Sequence, residues 1–233
     1  MNTSTQDITA RVALVTGGTD GLGLALVRAL AARGWLVVTD GRSEQRLKEA
    51  ELPSTVTAVP GDVADPAHRA ELAGIVGVLG RLDLLVHNAS TLGPLPMGPL
   101  RDLSGADLTA VWSVNALAAH ELNRLLVPAL REHVGALVSL SSDAAVEHYE
   151  TWGAYGATKA ALDHLTLTTG AEEGVAAWAV DPGDMRTRMH QDAFPGEDIS
   201  DRPLPETVVP HLLALLDRRP PSGRVRAHEV TVG

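Results

Sequence analysis

Short blocks of consecutive apolar residues alternate with longer stretches in which apolar positions recur every three or four residues, from residue 12 to the end of the chain. VALVT (12–16), WLVVT (35–39), TVTAV (55–59), RLDLLVHNAS (81–90), GALVSLSS (135–142) and GVAAWAV (174–180) predict strands, being short and rich in β-branched residues. RVRAHEV (224–230) predicts a closing edge strand. The helical period of about 3.6 residues runs through LALVRALAARG (24–34), Ser104 to Glu132, Ala154 to Thr168 and LPETVVPHLLALLDR (204–218). Strand and helix in strict alternation imply a parallel sheet covered on both faces, joined by right-handed crossovers. The expected fold is a single-domain, α/β, doubly wound arrangement with a mostly parallel seven-stranded sheet. No repeat or linker divides residues 1–233, of which 1–10 are expected to form a flexible N-terminus.

Composition narrows the chemistry. At 233 residues and 45% hydrophobic content, the chain can bury one substantial core. A formal charge of −10 without a dense Lys/Arg run argues against nucleic acid, which is held by clustered positive charge. Cysteine is absent, so disulfides and thiol chemistry are excluded, and the nine histidines are scattered with no metal-binding spacing. The N-terminus MNTSTQDITA is polar, and no run of about 20 apolar residues occurs. A cytoplasmic protein without a membrane partner is expected.

Two stretches carry candidate chemistry. The first is Thr16-Gly17-Gly18-Thr19-Asp20-Gly21-Leu22-Gly23, set between a strand and a helix. Glycines there let the backbone turn tightly and approach a phosphate, whose charge the helix amides stabilise. The second is SSDAAVEHYETWGAYGATK (141–159). The chain holds two tyrosines, and Tyr155 stands four residues before Lys159, one helical turn away on the same face. A phenol has an ordinary pKa of about 10, and a nearby ammonium favours its ionised form. Such a tyrosine suits general acid and base work, with the Ser142 hydroxyl as a further partner. A solvated Tyr/Lys pair on a helix surface is the plain alternative.

The pattern Thr-Gly-x-x-x-Gly-x-Gly, followed in order by Asn88-Ala89, Asn115, Ser142 and Tyr155-x-x-x-Lys159, resembles the short-chain dehydrogenase/reductase family, whose fold is Rossmann-like. The resemblance spans almost the whole chain, and Ser142 stands thirteen residues before Tyr155, as in the family. It implies an enzyme that moves hydride between a nicotinamide cofactor and a carbonyl or secondary alcohol. Tyr155 would be the general acid/base, Ser142 the holder of the substrate oxygen, Lys159 the cation that lowers the phenol's pKa and binds ribose, and Asn115 the support of a proton-relaying water.

The same resemblance implies that Gly17, Thr19, Asp20, Gly21, Leu22 and Gly23 cradle the cofactor, with Asp62 and Val63 at the adenine. Asn88 and Ala89 would flank it, and Pro182, Gly183, Met185 and Thr187 would enclose the nicotinamide end. Ser90 departs from the family's glycine. At the ribose the signals conflict. Arg42 suits NADP, Gly41 stands where NAD-preferring members carry Asp, and Asp40 and Asp20 are nearby carboxylates. NADP is the expected cofactor and NAD the alternative.

Leu92, Leu95, Met97, Met189 and Phe194, with Glu147, His148, Tyr149, Trp152, Arg186 and Arg188, are candidate substrate contacts around a polar lid at 188–203. The resemblance further implies a homodimer or homotetramer. Two rival functions share the fold: an enzyme with a net non-redox outcome such as epimerisation, isomerisation or dehydration, and a nucleotide-sensing protein without catalysis.

Overall fold

The computed structural model describes residues 9–233, so most of the expected flexible terminus lies outside the described residues. Strand β1 (Val12–Val15) is followed by helix α1 (Gly21–Ala32), β2 (Leu36–Gly41), α2 (Glu44–Glu49), β3 (Val56–Pro60), α3 (Pro66–Leu79) and β4 (Leu84–His87). After a long connection come α4 (Gly105–Trp112), α5 (Ala118–Glu132), β5 (Ala136–Leu140), α6 (Gly153–Glu173), β6 (Ala176–Asp181), α7 (Arg188–Ala193), α8 (Val209–Arg218) and β7 (Gly223–Arg226). The strands form one sheet in the order β3-β2-β1-β4-β5-β6-β7. Every pairing is parallel.

The unbroken apolar blocks are explained by burial on both faces. Ala13, Val15, Val86, Val138 and Val180 pack against α1 and α8. Their neighbours Val12, Leu14, Leu85, Leu137 and Ala177 pack the other way, against α3 and α5. Alternation of side chains along a strand thus builds two cores from one sequence block. The chain order reverses between β1 and β4, which opens a crevice at the carboxyl ends of these strands.

Three elements differ from expectation. The helix read over Ser104–Glu132 is interrupted by a π-turn at Ser113–Leu117, where the Ala118 amide donates five residues back to the Ser113 carbonyl. A single five-residue π-turn is too short to stand out as a break in a periodic pattern read over the whole stretch. The closing strand ends at Arg226, and Ala227–Glu229 form a short 3-10 turn instead. The polar stretch at 188–203 begins with helix α7, capped by Thr187, whose hydroxyl accepts from the His190 amide.

Candidate active site

A cleft of about 430 Å³ runs over the carboxyl ends of the strands. Its floor is the glycine turn between β1 and α1. The positive φ of Gly17 (69°) and of Gly21 (52°) is conformational space that favours glycine. A Cβ on Gly23 would lie 2.3 Å from Asn88 Nδ2 and 2.5 Å from the Gly17 carbonyl, so the third glycine sits behind the cleft and permits close packing there. Asn88 fastens that packing by donating to the carbonyls of Thr16 (2.7 Å) and Gly17 (2.9 Å). The amides of Asn88 and Ala89 both donate to the Thr16 hydroxyl at 3.1 Å. Asp20 caps α1 by accepting from the Gly21 amide, and its carboxylate lies 3.3 Å from Arg188.

Asp40 borders the cleft, but both of its carboxylate oxygens are engaged within the protein. It is 1% exposed: one carboxylate oxygen accepts from the Gly17 amide at 2.6 Å, and the other meets His68 Nε2 at 2.9 Å. The carboxylate therefore braces the turn from beneath. His68, 5% exposed, is raised above the usual histidine range by its hydrogen bond to Asp40, with lesser help from Glu71 and Asp65. Gly41 leaves room for Thr19, whose Cγ2 lies 2.3 Å from where a Cβ would stand. Arg42 lines the cleft at this end, as do Ser43 and Arg46, which the sequence reading did not single out. Asp62 and Val63 line the far side; Asp62 accepts from the Ala64 amide, and the Val63 carbonyl accepts from Arg69.

At the other end Tyr155 and Lys159 come together on the buried face of α6. Tyr155 is 8% exposed and Lys159 2%. The ammonium donates to the Leu140 carbonyl at 2.8 Å and lies 5.5 Å from the centre of the phenol ring. Burial governs both groups. It pushes the Tyr155 phenol up to about 12, while the hydroxyls of Ser142 and Ser90 act in the opposite direction. It pulls Lys159 down to about 8, against the field of Asp163. The net direction is thus set by burial and not, as expected, by Lys159, which is not among the groups that act most on the phenol; two hydroxyls do the opposing. Beneath the site His87, fully enclosed and bonded to Asn123 at 2.7 Å, is held down to about 4 by burial and stays neutral.

Ser142 follows β5 and lines a smaller cavity of about 110 Å³ that adjoins the cleft, sharing Tyr155, Pro182, Met185 and Thr187 with it. Gly183 lines this smaller cavity alone of the two. The Ser142 hydroxyl donates to Asp143 at 3.0 Å and accepts from the Ala144 amide at 3.2 Å. Ser141 turns the other way, donating to Asp163 at 2.8 Å. Arg224 of β7 holds this corner by donating to the Ser142 carbonyl, Asp163 and Asp181 at 2.8, 3.1 and 3.2 Å. Asn115 lies in the π-turn, 1% exposed, behind the cleft wall. Its side-chain oxygen accepts from the Thr91 amide (2.8 Å) and the Ser90 hydroxyl (3.3 Å), and its nitrogen donates to the Thr91 carbonyl and Thr158.

Among the candidate substrate contacts, Leu92, Trp152 and Met189 line the smaller cavity, and Phe194 stacks on Trp152 with ring centres 5.8 Å apart. Met97 packs beside them, and Leu95 lies in an outer groove. Glu147 and His148 are exposed and line neither cavity. Tyr149 donates to Asp143 at 2.9 Å, Arg186 is bound to the Ser200 carbonyl, and Arg188 lines the main cleft. Among the described residues no helix is long and apolar enough to cross a membrane, and no acidic or histidine group gathers as a metal would require.

Glycine turn, buried Tyr/Lys pair and parallel sheet define a class of protein, and the comparisons bear on the same class. Residues 11–198 match the short chain dehydrogenase family. The serine 3-dehydrogenase of Rhizobium radiobacter is 34% identical over 185 residues, covering 76% of this chain and 72% of that enzyme. A Shigella flexneri 2a protein solved with NADP superposes with a TM-score of 0.86 at 29% identity, covering 94% of this chain and 97% of that one. The short chain dehydrogenase of Streptomyces avermitilis gives a TM-score of 0.82 at 25% identity, covering 97% and 92%. This chain belongs to the short chain dehydrogenase family and is an oxidoreductase of that class.

Proposed function

We propose that the protein is an NADPH-dependent reductase of a carbonyl compound, with Tyr155 as the proton donor. The observation that carries this reading is one continuous cleft with Arg42 and Arg46 at one end and Tyr155 and Lys159 at the other. The glycine turn offers amides and a helix N-terminus to a pyrophosphate, where a side chain on Gly23 would intrude on Asn88. Arg42 and Arg46 supply planar, permanently charged donors suited to a 2′-phosphate. Asp40, the carboxylate that would favour a free ribose diol, is committed to Gly17 and His68. Lys159 would donate to the nicotinamide ribose, and Pro182, Met185 and Thr187 wall that end of the cleft.

When bound, the reduced nicotinamide supplies the hydride that a carbonyl carbon accepts. Ser142 holds the carbonyl oxygen from the smaller cavity. Tyr155 gives its proton to that oxygen as the carbon–oxygen double bond becomes a single bond, leaving a phenolate that is reprotonated from solvent. Asn115 contributes by fixing the wall at Ser90 and Thr91, since all four hydrogen-bonding capacities of its amide are used within the protein. Exposed apolar residues, Leu108 and Trp112 on α4, Leu117 in the π-turn and Leu125 on α5, support pairing of two copies into a dimer or a larger assembly.

Two titrations followed by tryptophan fluorescence, one with NADPH and one with NADH, test the reading. NADPH should bind about tenfold or more tightly, and Arg42→Ala should remove most of that preference. Tyr155→Phe should keep NADPH affinity within about twofold and lower carbonyl reduction by roughly a hundredfold or more. Full activity of Tyr155→Phe, or binding of neither nucleotide, would overturn it.

A further inference from the structure

Arg224 stands on β7, the edge strand, and lines neither the cleft nor the smaller cavity, yet its guanidinium reaches three elements of the site. Its Nη2 donates to the Ser142 carbonyl at 2.8 Å and to Asp181 Oδ2 at 3.2 Å, and its Nε donates to Asp163 Oδ2 at 3.1 Å. The parallel register sets Arg224 beside Ala179, two residues before Asp181 and on the same face of the sheet. The backbone ladder between β5 and β6 reaches the Ser141 amide, which donates to the Val180 carbonyl at 2.7 Å. Ser142 and Asp181 each stand one residue further on, where the chain leaves the sheet, and Arg224 joins them there. Asp181 carries the tie onward, because its Oδ1 accepts from the Gly183 amide at 3.1 Å. The turn so folded brings Pro182 and Met185 to the cleft wall.

We propose that Arg224 is a positioning residue for the nicotinamide end of the cofactor, holding the Asp181–Gly183 turn at a fixed distance from Ser142. The inference rests on the reading of the cleft as an NADPH site. Hydride transfer demands near contact and alignment, so the wall that holds the nicotinamide and the hydroxyl that holds the substrate oxygen must be set relative to each other. One planar guanidinium, its donors in a fixed fork, does this across two strands, whereas a lysine offers a point charge without that fork.

Charge gives a second reason. Asp163 and Asp181 are 8% and 5% exposed and share the Arg224 guanidinium, and Asp163 takes the Ser141 hydroxyl on the same oxygen at 2.8 Å. Without the arginine two buried carboxylates would stand close together unpaired, and their repulsion would move the turn away from α6.

The test compares two ligands of one cleft: NADPH, and adenosine 2′,5′-bisphosphate, which carries the adenosine end and its 2′-phosphate but no nicotinamide. In Arg224→Gln, NADPH affinity measured by calorimetry should fall about tenfold, while the bisphosphate stays within about twofold of the parent. Emission of the bound reduced nicotinamide should shift toward that of the free coenzyme, which a general loss of stability would not cause at saturating NADPH. Should Arg224→Gln fail to fold, Arg224→Lys keeps a charge between the carboxylates but removes the fork, and the same selective loss is expected of it. Unchanged NADPH affinity, or an equal loss for both ligands, would overturn the proposal. A parent protein that binds neither ligand would overturn the reading of the cleft and the proposal with it, whereas an active Tyr155→Phe protein would remove only the assignment of the proton donor.

Discussion

The two ends of the cleft are built by opposite means. Around the glycine turn the contacts are made by buried groups that bind backbone: Asp40 to the Gly17 amide, Asn88 to the carbonyls of Thr16 and Gly17, and Thr16 to the amides of Asn88 and Ala89. Around the smaller cavity, beyond the Arg224 and Ala144 contacts that hold Ser142, loop side chains meet one another: Tyr149 with Asp143, Arg202 with Asp184 and Asp201. A backbone cradle has one shape that its ligand must match. A set of paired side chains on loops can be exchanged residue by residue, which suits a wall whose occupant differs from one enzyme to the next. The catalytic residues stand where the two regimes meet, on β5 and α6, whose positions the sheet fixes.

The sharpest way to break this contrast is at Gly23. An added Cβ would meet Asn88 Nδ2 at 2.3 Å and the Gly17 carbonyl at 2.5 Å, and the carbonyl belongs to backbone that Asp40 already holds. Alanine is the better helix former by about 1 kcal/mol, but overpacking against fixed backbone costs about 1–3 kcal/mol and the asparagine bonds are lost besides. Gly23→Ala should lower stability by about 2 kcal/mol in urea titration and weaken NADPH binding at least tenfold. Wild-type affinity in that variant would show that the cradle is adaptable after all.

The Asp40–His68 pair offers a second, pH-dependent break. The folded pKa of His68 lies above its unfolded value near 6.5, so its stabilising contribution is fully present below about pH 6.5 and is lost as pH rises through the folded value. His68→Gln should therefore cost more at pH 6 than at pH 9, roughly 1–2 kcal/mol against a few tenths. Urea midpoints of parent and variant at the two pH values measure it. An equal loss at both would mean that the histidine acts by packing on Gly61 and not by its charge.

What could be seen beforehand follows the same division. The glycine turn, each strand or helix of the alternation that implies a parallel sheet, and the Tyr155/Lys159 spacing are local patterns, legible in short windows, whereas the order of the strands was not read beforehand. Asp40 was legible as a carboxylate at the right strand end, but its orientation depends on His68, 28 positions away, and on Gly17. Arg224 braces Ser142 from 82 positions away, and no local period announces it. Arg46 shares the cleft with Arg42 because α2 starts at Glu44, a six-residue helix too short for its period to stand out. The sign of the Tyr155 shift was misjudged for a related reason: spacing shows that an ammonium is near, whereas burial, the largest influence on the phenol, is a property of the assembled core.

The smallest effect is expected on the exposed side, at Tyr149. Its hydroxyl donates to Asp143 at 2.9 Å, yet the residue is 47% exposed, so water can take over both partners when the bond is removed. The Asp143 oxygen that loses the phenol faces solvent, while its other oxygen keeps the Ser142 hydroxyl and the Ala144 amide. Tyr149→Phe should shift stability by no more than about 0.5 kcal/mol, and NADPH affinity should not change, because the glycine turn and Arg42 are untouched. Thermal unfolding and one NADPH titration decide it. A loss of about 2 kcal/mol or more would place the 143–152 segment within the rigid frame, and the cleft would then have one kind of wall and not two.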